Sequence, residues 1–439
     1  MKLRDMLGID YSILFSAALL SVFGILFIYS SGINSSGVQV SGEYQRQIVF
    51  ASAGFILALV LAMVNYRRLY QLSVYFYVGA AALLIYTCLF GRTVSGARAW
   101  IGFGSFGVQP SEFAKITTIL LLARYLDGSS RSRSTFLRFA ISCVIVFIPM
   151  GIVLIQPDFG TSLVFIPILL VMTFVAGISL RYVFFLVAFI GLTGILTVLP
   201  LWQSYILKNT LPALRILVDP RFVTVTILAL LVILAIALFG YFRYGKRYFF
   251  WIGYGTAIAI LSLGASFMSH RVLKDYQIMR LIVFLDPNVD PQGSGWHIIQ
   301  SATAIGSGGL WGKGYLQGTQ SHYRFLPQQS TDFIFSIFSE EWGMMGGLLV
   351  FTLFLVICLR LARTMRITGD AFGALTVAGL SAMYIFHFLI NVGMTMGIMP
   401  ITGIPLMFMS YGGSAMISAW AGIGLALSVN VHRYSTAFP

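Results

Sequence analysis

The chain has 439 residues, 58% of them hydrophobic and only 10% charged, with a mean hydropathy of +0.89. A water-soluble domain of this size cannot hide that much apolar surface, and apolar runs that are continuous rather than alternating exclude a transmembrane β-barrel. The formal net charge of +14 follows the membrane topology derived below, which argues against a nucleic-acid partner.

Apolar runs of about 20 residues, the length that crosses a bilayer as a helix, recur from one end to the other. Twelve spans are predicted: 12–31, 46–64, 72–90, 111–126, 138–155, 160–178, 182–202, 222–241, 248–268, 333–359, 372–393 and 412–430. The fold class is therefore an all-α polytopic membrane protein. The first run reads as a retained span rather than a cleaved signal. Cys88, Cys143 and Cys358 fall inside apolar runs and read as inert core residues.

An even number of spans places both termini on one side. With the N-terminus in the cytoplasm, the inner segments hold 16 of the 28 Lys and Arg residues but four of the 14 acids. They include Lys2, Arg4, Arg67, Arg68, Arg131, Arg133, Arg433 and the acid Asp5. This positive-inside bias orients the chain. The inner loops are short and basic, so the chemistry is expected in the outer ones.

The first informative outer loop, 91–110, carries Arg98 and Trp100. Trp100 is equally suited to anchoring at the membrane interface. Glu112 and Lys115 follow at the start of the fourth span, three apart and so on one helical face. They read either as an ion pair that shelters two charges at bilayer depth, or as Lys115 joining Arg98 to bind a phosphate head group. Gln109-Pro-Ser-Glu-Phe113, Gln156-Pro-Asp-Phe159 and Gln329-Ser-Thr-Asp-Phe333 each precede an apolar helix. Ser111, Asp158 and either Thr331 or Asp332 are the expected N-caps. Three outward-facing N-termini beside cations suit an anion site.

The largest outer loop, 269–332, holds the best catalytic candidates, Asp286 and Asp290. Each precedes a proline and is biased to extended backbone, which also suits a simple turn. The run Trp296–Ile305, which contains Gln300, is expected to form a short helix. Gly306-Ser-Gly-Gly-Leu-Trp-Gly-Lys-Gly314, with Lys313, looks like a phosphate-cradling loop but lacks nucleotide-loop spacing. Glu340 and Glu341 lie about two turns into the tenth span. Adjacent acids point in different directions, so at most one is expected to face a given cavity. His297 and His322 show no metal-ligand spacing.

The motifs together resemble the SEDS proteins, the RodA/FtsW group of bacterial cell-wall polymerases. The segments that carry the likeness are 96–101, 109–115, 156–162, 290–301, 304–314, 325–335 and 403–414, in the expected order along nearly the whole chain. Gly318-Thr-Gln-Ser321 is closer to the elongation branch than to the division branch. The resemblance implies a peptidoglycan glycosyltransferase that polymerises lipid II at the outer face of the bacterial cytoplasmic membrane, partnered by a class B penicillin-binding protein. It makes the acid of Asp-Pro-x-Gly-x-Gly, here Asp290, the essential one, with Asp286 second. Arg98, Trp100, Glu112, Lys115, Asp158, Gln300, Lys313 and Glu340 are the expected substrate contacts. The family has ten spans, so residues 203–268 read as an inserted helical pair within one domain. No resident cofactor is indicated; Mg²⁺ or Mn²⁺ is the ion a pyrophosphate leaving group would call for. A lipid II flippase and a non-catalytic scaffold are the competing readings.

Overall fold

The computed structural model describes residues 9–433 except 95, 103–106, 131–133, 208–213, 215, 216, 218, 273, 274, 324 and 327. Lys2, Arg4, Asp5, Arg131 and Arg133 lie outside them. Each of the twelve expected spans coincides with helix. Ten of the helices are long and apolar enough to cross a membrane. The other two are a charged helix and a shorter, interrupted one. The protein is thus an all-α multi-pass membrane protein.

The chain divides into two compact units, Met1–Ile178 with Gln300–Pro439, and Ser179–Ile299. The first contains α1 (Tyr11–Ser31), α2 (Glu43–Met63), α3 (Arg67–Phe90), α4 (Pro110–Gly128), α5 (Thr135–Ile155), α6 (Phe159–Leu163) and α7 (Phe165–Val175). The second contains α8 (Leu180–Trp202), α9 (Pro220–Tyr244), α10 (Arg247–Val272) and α11 (Asp275–Leu285). Helix α12 (Ser294–Ser307) runs across the boundary. The first unit resumes with α13 (Thr319–His322), α14 (Ile334–Ile367), α15 (Ala371–Thr395) and α16 (Gly413–His432). The short helix expected near Trp296 is α12, and the region 203–268 contains α9 and most of α10.

In the first unit α15 and α16 are mostly buried, whereas α2 and α3 leave most of their apolar surface outside. Helix α16 packs along α2, and small residues set the spacing: a Cβ on Gly54 would strike the Trp420 ring, and one on Gly424 would strike the Ala58 backbone. Helix α4 packs against α3, α5, α15 and α16, so Glu112 and Lys115 are enclosed by protein rather than lipid, while Arg124 and Asp127 are half-exposed at its other end. That is why a helix with four charged side chains is tolerated there.

The loops at one end of this unit are bonded to one another. Arg98 N–H donates to the Gln156 carbonyl at 3.1 Å, Gln109 Nε2 donates to Asp158 Oδ2 at 2.7 Å, and Tyr411 N–H donates to the Ser330 carbonyl at 2.8 Å. Gln47 Nε2 donates to the Ser410 carbonyl at 2.9 Å.

Three local expectations change. Loop 91–110 contains a small antiparallel hairpin, β1 (Arg92–Val94) and β2 (Ala97–Trp100); Gly96 at φ 85° supplies the left-handed turn. Ser111 does not cap α4, because Pro110 occupies the first helical position and moves the cap back to Gln109. Neither Thr331 nor Asp332 caps α14, whose N-cap is Phe333. Asp158 does cap α6, accepting from Thr161 N–H at 3.2 Å.

Helix α14 is not one rod. At 34 residues it would be about 51 Å long, well beyond the ~30 Å hydrocarbon core. It breaks at Gly343, φ 62° and ψ −161°, a conformation open only to glycine. The second segment is long enough to span by itself.

Candidate active site

The break in α14 determines what the glycine-rich loop does. Breaking a helix orphans backbone carbonyls, which need donors wherever water is excluded. Lys313 N–H donates to the Glu340 carbonyl at 3.1 Å, and Gly314 N–H donates to the Glu341 carbonyl at 2.9 Å. In return Met344 N–H reaches the Gly309 carbonyl at 2.9 Å. A Cβ on Gly308, Gly312 or Gly343 would overlap the facing backbone. The segment that looked like a phosphate cradle is therefore a backbone splice that seals the broken helix.

Both glutamates beside the break face this loop. Glu340, fully buried, accepts from Lys313 Nζ at 2.6 Å, Thr319 N–H and Thr319 Oγ1 at 2.9 Å, and Gln320 N–H at 3.1 Å. Glu341 accepts from Leu316 N–H at 3.0 Å and from the Ser30 hydroxyl. The expectation that adjacent acids cannot serve one region fails because the loop wraps around the helix end and meets both directions. His322 Nε2 lies 3.9 Å from Glu341 Oε1. Burial pushes the imidazole below its ordinary pKa, against an upward pull from Glu340, so this approach is not an ion pair at neutral pH.

A second charged cluster lies within α4. Glu112 sits in the first turn, where the helix dipole favours an acid. Lys115 Nζ donates to Glu112 Oε1 at 2.8 Å and contacts His387 Nε2 of α15 at 3.1 Å. His387 Nδ1 lies 3.0 Å from the Pro405 carbonyl and must donate to it, so Nε2 is the acceptor for the lysine ammonium. Both charges are buried, and Glu112 Oε2 and Ser111 Oγ lack a hydrogen-bond partner among the described residues. Of the two readings left open by sequence, the ion pair is the one seen.

Arg98 uses Nε to hold the Gly91 carbonyl at 2.9 Å, and its side chain is otherwise exposed. Trp100 is half-buried, with its ring over Gly107. Gln300 is half-buried on α12.

In the second unit the chain from α11 turns at Asp286, which accepts Asn288 N–H at 3.0 Å and starts a single 3₁₀ turn, Pro287–Val289. Asp290 ends that turn, and its carbonyl accepts Gly295 N–H at 3.0 Å. The two motif glycines have distinct tasks. A Cβ on Gly293 would overlap the Asp290 carboxylate, and one on Gly295 would overlap the Pro287 and Asp290 carbonyls. The backbone thus bends closely around a half-exposed carboxylate. His297 lies in the field of Asp290 and Arg280. Burial and Arg280 lower its pKa, while Asp290 opposes them.

Among the described residues no three His, Cys, Asp or Glu side chains converge as ligands, so no step below is routed through a metal ion. Sequence reasoning missed His387, Ser30, Thr319, Gln320 and Arg280. Thr319 and Gln320 stand in the Gly318–Ser321 segment, but packing rather than local spacing gives each of the five its partner.

Comparison with known proteins bears on the whole chain. The family model described as "Cell cycle protein", covering FtsW, RodA and SpoVE, matches residues 10–214 and 201–435. The peptidoglycan glycosyltransferase RodA of Treponema pallidum is 50% identical over 434 residues, covering 99% of this chain and 100% of that protein. The peptidoglycan glycosyltransferase MrdB of Escherichia coli K12 is 32% identical, covering 98% and 95%. A chain from a solved peptidoglycan synthase complex, described as coordinating polymerisation and crosslinking, superposes with a TM-score of 0.67 at 26% identity, covering 97% and 98%. Thermus thermophilus RodA superposes with a TM-score of 0.60 at 23% identity, covering 97% and 98%, a likeness of fold.

Proposed function

The chain belongs to the FtsW/RodA/SpoVE family, and from that premise we propose that it is a peptidoglycan glycosyltransferase of the elongation type. The observation that carries the proposal is the 50% identity, end to end, with a relative of that activity. The proposed substrates are lipid II and a lipid-linked glycan strand. The proposed setting is the bacterial cytoplasmic membrane, with both termini inside and the interlocked loops outside. The positive-inside charge distribution supports that orientation.

The reaction needs a base for the attacking sugar hydroxyl and charge for the departing pyrophosphate. In the proposed step the Asp290 carboxylate takes the hydroxyl proton as the new C–O bond forms at the anomeric carbon. The bond to the lipid pyrophosphate breaks in the same displacement, which inverts that carbon. Holding both lipid tails in the bilayer keeps the sugars near each other. The exposed Arg98 guanidinium is suited to contact the pyrophosphate. Lys115 and Glu112, buried as an ion pair, hold the start of α4. Lys313 and Glu340 hold the spliced loop. Asp158 and Gln109 tie two outer loops together; Trp100 and Gln300 complete the proposed substrate surface. A class B penicillin-binding protein is the proposed partner, in line with the synthase complex among the structural neighbours.

The test is polymerisation of lipid II by the purified chain, with and without such a partner. Glycan strands are expected from the native chain and none from Asp290→Asn. Strands of normal length from Asp290→Asn would remove Asp290 from the reaction. Absence of strands from the native chain with its partner would leave a transporter or scaffold in its place.

A further inference from the structure

The first unit has a cavity at the end away from the interlocked loops. Helix α2 starts at that loop end, near the Gln47 contact, and finishes at the other. There a cavity of about 420 Å³ is lined by Val60, Met63, Val64, Asn65, Arg68 and His432. Its size lies in the range of small-ligand sites. Its wall is apolar on the α2 side and carries Arg68 where α3 begins and His432 where α16 ends.

Three observations indicate an occupant. Val49, Ile56, Val60 and Met63 are all exposed, and their spacing puts them on one face of α2. This stripe runs into the cavity. It is about 21 Å long at ~1.5 Å per residue, more than the ~15 Å that one leaflet contributes to the hydrocarbon core. Second, Arg68 is exposed and has no ion pair among the described residues. The neighbouring Arg67 carries a buried Nη2 without a hydrogen-bond partner. Third, two acids at this end are already engaged: Asp370 accepts from the Tyr66 hydroxyl and, at 2.9 Å, from Gly373 N–H, and Asp10 lies 3.8 Å from Arg360. The Arg68 guanidinium thus stands at the mouth of an apolar slot that no acid lines.

We propose that this cavity binds an anionic phospholipid, with an acyl chain along the α2 stripe and the phosphate against Arg68 beside His432. His432 Nδ1 donates to the Ser428 carbonyl at 3.0 Å, which fixes the imidazole at the α16 terminus. The occupant is a lipid rather than free phosphate because most of the lining is apolar. It is anionic rather than zwitterionic because an exposed, unpaired guanidinium favours net negative charge. The site would clamp the α2–α3 corner to the end of α16.

Native mass spectrometry of the full-length protein tests this with phosphatidylglycerol and phosphatidylcholine of matched acyl chains. Phosphatidylglycerol is expected to be retained about fivefold better, the effect of one surface cation. Arg68→Gln should abolish that preference, and Met63→Trp, which fills the slot, should lower retention of both lipids. Inorganic phosphate in excess should not displace the lipid; displacement would point to a free anion instead and overturn the proposal. Equal retention of phosphatidylglycerol by the native chain and Arg68→Gln would also overturn it. If a variant fails to fold, the native chain alone decides, because no preference between the two lipids refutes the site.

Discussion

Lys313 Nζ lies 2.6 Å from Glu340 Oε1, and the same carboxylate gathers the amides of Thr319 and Gln320. One buried acid therefore fixes two ends of a loop by two kinds of bond, and substitution can separate them. Lys313→Met leaves a fully buried carboxylate without its countercharge and is expected to cost about 3–5 kcal/mol at neutral pH. Glu340→Ala leaves a lysine that is 27% exposed and can reach water, at a smaller expected cost of about 2–3 kcal/mol. Hydrogen exchange should reverse the order. The Thr319 and Gln320 amides should exchange faster in Glu340→Ala and stay protected in Lys313→Met.

The Glu112–Lys115 pair calls for a double-mutant cycle. Lys115→Met should destabilise by about 3–5 kcal/mol, because Glu112 is then buried and unpaired. Adding Glu112→Gln removes that stranded charge, so the double variant should be more stable than Lys115→Met alone. Thermal unfolding in detergent reads the sign. Additive losses would mean that the two side chains do not interact.

Gly343→Ala should be among the most damaging single changes. Its backbone conformation costs an ordinary residue about 1–3 kcal/mol, and its Cβ would run into Leu310 and Gly312. Gly369, with open space at its Cβ and no positive φ, is the control. A clear drop in Tm for Gly343→Ala with little change for Gly369→Ala is expected.

Around Asp290 the electrostatics have a definite sign. Asp290 raises the His297 pKa, and burial and Arg280 lower it. Asp290→Asn should therefore lower that pKa further, and Arg280→Gln should raise it, both readable by NMR titration of the imidazole. Because the folded pKa is depressed, the unfolded chain takes up the proton first as pH falls. The contribution of His297 to stability is thus full above about pH 6.5 and declines as pH drops toward the folded value.

Gly293→Ala asks whether the backbone positions the carboxylate. Its Cβ would overlap the Asp290 side chain, so polymerisation should fall at least tenfold, about 1.4 kcal/mol in barrier, while the fold persists. Full activity in Gly293→Ala would show that the geometry of this turn does not matter.

Much was legible in the sequence for a physical reason. A bilayer punishes every unpaired backbone group and charge, so ten of the twelve expected segments are, among the described residues, helices of membrane-crossing length and apolarity. Capping was legible in part: Asp158 caps as expected, whereas Ser111, Thr331 and Asp332 do not. Long-range pairing was not. Lys115 is 272 residues from His387, and no periodicity relates them. The splice at Gly343 was hidden as well, because α14 reads as a continuous apolar helix and only the facing backbone of residues 308–314 shows why it breaks.

The amino-acid pattern by itself determined where the apolar helical segments lie and which ends gather positive charge, since these depend on local hydropathy and on transfer from water. Tertiary structure decided which buried charges meet, that both Glu340 and Glu341 serve one loop, and that the glycine-rich segment mends a helix. Those outcomes depend on distances between segments far apart in the chain. A buried polar atom accepts whichever donor the packing brings to it.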